Sequence, residues 1–482
     1  MHFILTFFSA KKYLIFALSL LVLFGIYLCF YQLGKAPLDN WDEAWYGEIT
    51  KNMIKDQEFI VPTWNGSHFF EKPPLYMWLT AFFASFMGLT EFSVRLTSAI
   101  CGILLLTGVL IYSYKKFGFV PGVAAFVTLA FNDVFISRVR SGNLDALTSF
   151  FVFLIFLFIL LKSRKRFILL GICFCLLALT KGSFVLFPLS IFLLHELLFR
   201  RKEVFKNWLY YLLLFAIAIG IPGLWLYIGY QNTLVLGNLF ITSYLFNSDQ
   251  GASKISLATF KLDYISYMYY SLQRRYFFVF LLGFALLFRK IKQAEYFLLL
   301  VFPLSLVLFL SFSQKTNNWY LVPIMPFFSI IIAYAVHEIL RFCKNNLIVK
   351  FALLALLIAL SVRAYSNNIA PILTTASAIG EAESGKYLDE HAKDDEIIVR
   401  LDHLYPSMVY YSNRTVRSSV PEATTQGVWI SREDLANLVR SKKQRWIVGT
   451  ETEIKQFVKQ FPELDYKIIA INAQETIAKM YD

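Results

Sequence analysis

The sequence predicts an all-α polytopic membrane protein that carries a small soluble α/β domain in its C-terminal part. Of its 482 residues, 57% are hydrophobic and only 16% are charged, whereas soluble domains carry about 25% charged residues. Residues 366–482 hold 17 acidic and 14 basic residues, while residues 1–365 hold 16 acidic and 32 basic ones. This change in charge separates a transmembrane domain, residues 1–365, from the soluble domain, residues 366–482.

The transmembrane domain contains eleven apolar runs, and we expect about 11–13 transmembrane helices in all. Most runs approach the roughly 20 residues that a helix needs to cross a bilayer. The short run 74–89 follows Pro73-Pro74, and we expect it to lie along the interface as a juxtamembrane helix. Two long external loops are predicted, 34–95 and 231–275. The eleven runs are 13–33, 96–114, 119–137, 144–161, 167–180, 183–199, 207–230, 276–288, 294–313, 319–340 and 347–363.

Basic residues cluster at the ends of these runs, and short loops rich in Lys and Arg stay cytoplasmic. The clusters at Lys11-Lys12, Lys115-Lys116 and 289–292 share one side only if run 74–89 does not cross the membrane. The N-terminus is then cytoplasmic and residues 366–482 lie outside. The net charge of +13 is thereby explained by topology, and no nucleic-acid partner is predicted.

Within residues 366–482, short apolar stretches predict strands and amphipathic stretches predict helices, which together indicate an α/β domain. The predicted strands are 397–401, 408–411, 446–449 and 467–471, and the predicted helices are 433–440 and 453–461.

The first external loop contains the first candidate site residues, Asp42 and Glu43. Asn40 has the spacing of a helix cap with Glu43 three residues later. An apolar stripe follows in this helix, and it predicts an amphipathic helix on the outer leaflet. The stripe consists of Trp41, Trp45, Ile49 and Met53. Asp42 is either a catalytic carboxylate or an acid favoured at a helix N-terminus by the dipole.

A second acid, Asp145, starts a predicted span a few residues after Arg138 and Arg140. An ion pair with one of these arginines is one interpretation. Ionisable residues at membrane depth also mark functional sites. The charge-derived topology places several ionisable residues at the outer face, where they suit an anionic lipid headgroup. They are Asp42, Lys72, Arg138, Arg140, Asp145, Lys181 and Lys315.

His68 and Glu71 are three residues apart and form a possible pair of ligands for a divalent metal. No other cofactor is predicted. Tyr320, in a polar loop that re-enters an apolar run, is either an interfacial aromatic residue or part of the site.

The order of six motifs resembles the bacterial lipid-phosphate-sugar glycosyltransferases related to protein O-mannosyltransferases and to the lipid A aminoarabinose transferase. The resemblance covers about residues 10–340. The motifs are DEAWYGEI, NGSHFFEKPPLYMWL, FSVRL, RVRSGNLDALTSFF, LTKGSFVLFPL and KTNNWYLVPIMPF. It implies the GT-C fold, a bacterial inner membrane location, and transfer of a hexose or pentose from a polyprenyl-phosphate donor to a lipid (lipid A-like), glycan or protein acceptor, with inversion.

The resemblance also implies residue roles. Asp42 corresponds to the first acid of the family's paired motif, which is a general base or a carboxylate that positions the acceptor. Glu43 stands beside it, and Asp145 corresponds to the membrane-edge aspartate. Lys72 and Tyr320 correspond to residues on the donor phosphate. The second loop lacks the Arg-His-Asn element of the aminoarabinose branch and reads ITSYLFNSDQ at 241–250, so Arg274 or Arg275 takes the place of its phosphate arginine. Arg138 is a further candidate for the phosphate.

Three other functions fit parts of the pattern. A transporter or flippase of a lipid-linked sugar would use the same charged groups, although transporter sites lie near the midplane. An O-antigen polymerase or ligase also has long outer loops, and a scaffold would place its function in residues 366–482.

Overall fold

A computed structural model describes residues 11–233, 260–272, 274–313, 316–374, 379–393, 396–420, 429–440, 445–472 and 475–481. The chain forms two compact units. Unit 1 comprises Met1–Leu33, Phe70–Tyr76 and Leu96–Thr374, and unit 2 comprises Gly34–Phe69, Met77–Arg95 and Thr375–Asp482.

Helices make up most of the described residues before residue 392. The helices are α1 (Lys11–Phe30), α2 (Asp42–Asp56), α3 (Leu75–Met87), α4 (Glu91–Phe117), α5 (Phe119–Ala130), α6 (Asp133–Val139), α7 (Leu144–Leu160), α8 (Lys165–Lys181), α9 (Leu186–Phe199), α10 (Arg201–Lys206), α11 (Trp208–Thr233), α12 (Asp263–Ser271), α13 (Arg275–Phe288), α14 (Ala294–Ser311), α15 (Met325–Phe342), α16 (Leu347–Ala364), α17 (Ala370–Thr374) and α18 (Ile379–His391). A short hairpin of β1 (Thr63–Trp64) and β2 (Ser67–His68) lies between α2 and α3. Three further short helices are Gly182–Val185, Asn318–Ile324 and Tyr365–Ile369.

The protein is a multi-span membrane protein. Within the described residues, six helices are long and apolar enough to cross a membrane, or up to eight if each bent pair is one span. This number is below the predicted 11–13 because several predicted runs form shorter or bent helices. The run at 144–161 forms a 17-residue helix, about 25 Å long, and the run at 119–137 bends by 69° between α5 and α6.

Helices α8 and α9 form a hairpin, although together they make one apolar stretch of 35 residues. Arg166 and Glu196 form a buried ion pair with Nη2–Oε2 at 2.8 Å, yet residues thirty apart in a straight helix would be about 45 Å apart. The reversal occurs at Gly182, whose φ of 52° is in the left-handed region. The two separate runs predicted here, 167–180 and 183–199, therefore correspond to two antiparallel helices.

Ion pairs gather the charged ends of several helices at one end of unit 1. Lys116 at the end of α4 pairs with Glu295 at the start of α14. Lys290 after α13 pairs with Glu338 near the end of α15, with Nζ–Oε1 at 3.0 Å. The basic clusters near residues 115 and 290, which the charge pattern predicted to share a side, thus lie together.

The C-terminal part of unit 2 is an α/β fold around a five-stranded mixed sheet of order β4-β3-β5-β7-β6. Strand β3 pairs parallel with β4 and β5, and β7 pairs antiparallel with β5 and β6. The elements are β3 (Ile397–Arg400), α19 (Pro406–Ser412), β4 (Val416–Ser418), α20 (Arg432–Arg440), β5 (Arg445–Gly449), α21 (Glu451–Gln460), β6 (Asp465–Asn472) and β7 (Glu475–Tyr481).

The predicted strand at 408–411 is wrong, because these residues belong to helix α19. Pro406 lies in the first turn of α19, where its fixed φ and missing N–H favour a helix start. Every residue of α19 is buried. Burial on all sides therefore outweighs the strand preference of Val and Tyr.

A polar cluster secures the start of β3. The Glu396 carboxylate accepts hydrogen bonds from Trp446 Nε1 at 2.7 Å and pairs with Lys479 Nζ at 3.3 Å. Burial opposes ionisation of Glu396, but the hydrogen bonds from the Lys393 backbone, Trp446 and Lys479 outweigh it, so the pKa of Glu396 lies below its ordinary value. The sheet is thus stabilised by an ionised carboxylate.

Segments of the first loop pack against the C-terminal fold within unit 2. The backbone N–H of Leu38 donates to Tyr411 Oη at 2.7 Å. Asn65, in the turn between β1 and β2, makes two hydrogen bonds of 2.9 Å with the backbone of Val416. Residues 34–69 and 77–95 therefore belong to the same compact unit as residues 375–482.

Candidate functional site

The candidate site in unit 1 is built around Asp145, in the first turn of α7. Asn143 caps this helix, since its side-chain oxygen accepts the Asp145 N–H at 2.8 Å. The Asn143 side chain also donates to the Arg138 carbonyl at 2.8 Å. The turn between α6 and α7 is thereby fixed, and it brings Arg138 next to Asp145.

Two cations share the Asp145 carboxylate. Arg138 Nε lies 2.8 Å from Oδ2 and Lys181 Nζ lies 3.2 Å from Oδ1. The Asp145 side chain is 5% exposed, while those of Arg138 and Lys181 are 17% and 13% exposed. Lys181 is the last residue of α8, so the ion pairs join the reversal between α8 and α9 to the turn between α6 and α7.

Each cation also lies against an aromatic ring of the short helix Asn318–Ile324. The Arg138 guanidinium carbon is 5.4 Å from the centroid of Trp319, and Lys181 Nζ is 5.5 Å from the centroid of Tyr320. Both distances are in the range of cation–π contacts. We call these five residues, Arg138, Asp145, Lys181, Trp319 and Tyr320, the Asp145 cluster.

The Asp145 cluster carries one negative and two positive charges, so it has a net charge of about +1. Its cations are held in place by the carboxylate and the rings, and both remain partly exposed. Guanidinium and ammonium groups positioned in this way bind phosphate oxygens and stabilise developing negative charge.

Lys72 belongs to a segment that is tied to the same turn. Tyr76, four residues after Lys72, has its hydroxyl 3.1 Å from Ser98 Oγ, and Ser98 donates to the Asn143 carbonyl at 3.1 Å. Lys72 is buried, with 8% of its surface exposed. The Glu-Lys-Pro-Pro motif is thus anchored beside the start of α7.

In unit 2, Asp42 and Glu43 begin helix α2 but differ in environment. Both carboxylate oxygens of Glu43 bind Arg95, with Nε–Oε1 and Nη2–Oε2 at 2.8 Å. Glu43 and Arg95 are 2% and 6% exposed, whereas Asp42 is half-buried. Glu43 therefore anchors the helix, and Asp42 is the more accessible acid.

Two predictions about helix α2 are wrong. Asn40 does not cap it, since Oδ1 of Asn40 accepts from the Ser407 backbone at 3.3 Å instead. The predicted membrane-facing stripe is largely buried in protein. Trp45, for example, packs on Trp64 and Phe69 with ring centroids at 5.6 Å.

The remaining predicted residues lie elsewhere. Arg274 is exposed and contacts Tyr270, 5.1 Å from its ring centroid. His68 ends strand β2 and belongs to unit 2, whereas Glu71 belongs to unit 1. No group of three or more His, Cys, Asp or Glu side chains that could hold a metal occurs in the described parts of the chain. Residues 241–250 and Lys315 lie outside the described residues.

Sequence reasoning did not select Trp319, which the structure places over Arg138. Trp319 stands next to Tyr320 in the polar re-entry loop. An aromatic residue beside a selected site residue is the sequence signal that would have identified it.

Comparisons with known proteins agree with the predicted resemblance. Residues 71–226 match the model of the family described as Dolichyl-phosphate-mannose-protein mannosyltransferase. An uncharacterized protein of Aquifex aeolicus is 30% identical over 207 residues, which is 41% of this chain and 40% of that protein. The undecaprenyl phosphate-alpha-4-amino-4-deoxy-L-arabinose arabinosyl transferase of Shewanella sediminis is 40% identical over 77 residues, 16% of this chain and 14% of that protein.

Solved structures match over nearly the whole chain. ArnT from Cupriavidus metallidurans in the apo state has a TM-score of 0.77 at 14% identity, covering 96% of this chain and 97% of that one. The same protein bound to undecaprenyl phosphate has a TM-score of 0.75 at 15% identity, with the same coverage. The fold is therefore that of ArnT, while the sequence matches span less than half the length of these curated relatives.

Proposed function

We propose that this chain is an integral membrane glycosyltransferase that moves a sugar from a polyprenyl-phosphate donor to a lipid, glycan or protein acceptor. The observation that carries the proposal is the Asp145 cluster, in which two partly exposed cations surround one carboxylate. Such a group suits the phosphate of a lipid-linked sugar. The undecaprenyl phosphate bound to ArnT and the name of the Shewanella relative support the same donor class.

In the proposed reaction an acceptor oxygen attacks the anomeric carbon as the bond from that carbon to the phosphate oxygen breaks, with inversion. Asp42 takes the acceptor proton as general base. The departing polyprenyl phosphate gains negative charge, which Lys72, Arg138, Lys181 and Tyr320 stabilise. No nucleotide takes part, because the lipid phosphate is the leaving group.

Asp145 and Glu43 have positioning roles in this proposal. Both oxygens of Asp145 are used by Arg138 and Lys181, so Asp145 holds the two cations where a phosphate can reach them. Glu43 holds the start of helix α2 in place through its ion pair with Arg95. We also propose Arg274 as a further ligand of the donor phosphate.

The proposed orientation places the Asp145 cluster at the outer face and the basic helix ends in the cytoplasm. Its support is the grouping of Lys116, Lys290 and Arg341 around Glu295 and Glu338 at one end of unit 1. Lys and Arg in such short loops favour the cytoplasmic side.

The experiment is release of free polyprenyl phosphate from a panel of polyprenyl-phosphate sugars in proteoliposomes. Wild type is compared with Lys181→Ala, with Asp42→Asn, and with Lys292→Ala, an exposed lysine that serves as control. We expect release by wild type and the control, and loss in both site variants. Passage of intact donor across the bilayer without release would show a flippase instead.

A further inference from the structure

The C-terminal fold of unit 2 presents the carboxyl end of β3 next to the start of helix α2, which carries Asp42. Ligands of open α/β sheets bind beyond the carboxyl ends of parallel strands, and β3 is flanked by parallel strands on both sides. The chain after β3 runs through Asp402 and His403 to Tyr405, and α19 follows. Ser407 in α19 contacts Asn40, two residues before Asp42.

An aromatic pair joins the two segments. The rings of Trp41 and Tyr405 meet edge to face, with centroids 6.5 Å apart and planes at 79°. Trp41 is 45% exposed, although neighbouring Trp45 is buried. Trp41 also has a φ of 69°, a backbone conformation that residues other than glycine rarely adopt. An exposed ring held in this way next to Asp42 is available to a ligand.

Charged groups surround Tyr405. The Arg400 guanidinium carbon lies 4.4 Å from the ring centroid and pairs with Glu475. Burial raises the pKa of Tyr405; Arg400 lowers it, and the negative charges of Asp402, Glu381 and Glu475 raise it further. These groups bring one positive and three negative charges to Tyr405, so their net charge is negative, in contrast to the Asp145 cluster.

The ion pair under Tyr405 retains unused hydrogen-bonding atoms. Arg400 and Glu475 are 5% and 4% exposed. Their Nε and Oε2 atoms are buried and have no hydrogen-bond partner among the described residues. Buried polar atoms are almost always paired, so the Arg400–Glu475 pair keeps unused hydrogen-bonding capacity beneath the Tyr405 ring.

We propose that Trp41, Asp402, His403 and Tyr405, above the Arg400–Glu475 pair, form the acceptor subsite, and that it takes a neutral or amino-bearing sugar ring and disfavours a phosphorylated one. Carboxylates accept hydrogen bonds from hydroxyl and ammonium groups and repel phosphate. Aromatic rings cover the apolar face of a ligand. The inference rests on the proposed function and makes its acceptor more specific.

The test uses the full chain in proteoliposomes with three acceptor probes: an alkyl glucoside, an alkyl glucosaminide and an alkyl glucoside 6-phosphate. Two rates are measured. One is transfer of the sugar to the probe, and the other is release of polyprenyl phosphate without any probe, in which water takes the sugar. For Asp402→Asn we expect KM for the glucosaminide to rise roughly tenfold, because about one charge-assisted hydrogen bond to the ligand is lost. Release without probe stays unchanged. Asp389→Asn, an exposed acid in α18, is the matched control.

Binding of the same probes is followed by tryptophan fluorescence, which needs no turnover. We expect the glucosaminide to quench wild type but not Trp41→Phe, and the 6-phosphate to bind at least tenfold more weakly than the glucoside. Equal KM in Asp402→Asn and its control, with release intact, would overturn this inference and leave the glycosyltransferase proposal standing. Absence of release by wild type with every donor would contradict both.

Discussion

Replacing Asp145 with asparagine removes the charge that holds Arg138 and Lys181 together while preserving the shape of the side chain. Because both cations contact one carboxylate, their charges lie at most about 8 Å apart, and at an effective dielectric constant of about 20 they repel by about 2 kcal/mol. We expect the cations to separate. Release of polyprenyl phosphate should then fall by about 30-fold or more in kcat/KM, since about 1.4 kcal/mol corresponds to tenfold.

A double-mutant cycle separates this mechanism from simple damage to the fold. Lys181→Gln removes one of the two repelling charges, so the double variant should lose less activity than the product of the two single losses. Asp263→Asn is the matched control, because Asp263 is also an acid in a first helical turn but is exposed. Strictly additive losses, or wild-type activity in Asp145→Asn, would refute the positioning role.

Three further predictions concern stability. Glu43→Gln should destabilise the chain by about 3–5 kcal/mol, since Arg95 stays buried without its counter-charge, and a thermal melt of the purified protein measures this. Gly47→Ala should cost about 1–3 kcal/mol because an added methyl group meets neighbouring side chains too closely, whereas Gly220→Ala, with open space around it, should not destabilise. Glu396 has a lowered pKa, so its contribution is present above the ordinary pKa of about 4.3 and is lost as the pH falls; Glu396→Gln should flatten the acid side of the stability profile.

Composition and motif order were sufficient to predict the membrane class, the C-terminal α/β domain and the ArnT-like fold. They also selected Asp145, Arg138 and Tyr320, which lie in one cluster. Lys181 was harder to assign, because a lysine at the end of an apolar run equally fits a side chain that extends to the interface. Only the reversal at Gly182 shows that it reaches Asp145.

What sequence reasoning missed depends on contacts between distant segments. Periodicity reveals the apolar stripe of α2 but not the surface that it packs against. It therefore predicts contact with lipid, although much of the stripe packs in protein. Asparagine is a preferred residue type for a helix cap, yet the Asn40 side-chain oxygen accepts a hydrogen bond from the backbone of Ser407, 367 residues later. Pattern alone cannot rank a local hydrogen bond against one made across the fold.

The hydrogen bonds between Asn65 and Val416 join residues 351 positions apart. During synthesis, the segment that carries Asp42 leaves the ribosome long before its partners around α19 and β4 exist. Its folding must therefore wait while the intervening helices are inserted, because contacts of such long sequence separation form late. The segment that carries Asp42 is completed only after the C-terminal fold has been made, so a chain interrupted before residue 406 would reach the membrane with its helices but without an ordered Asp42.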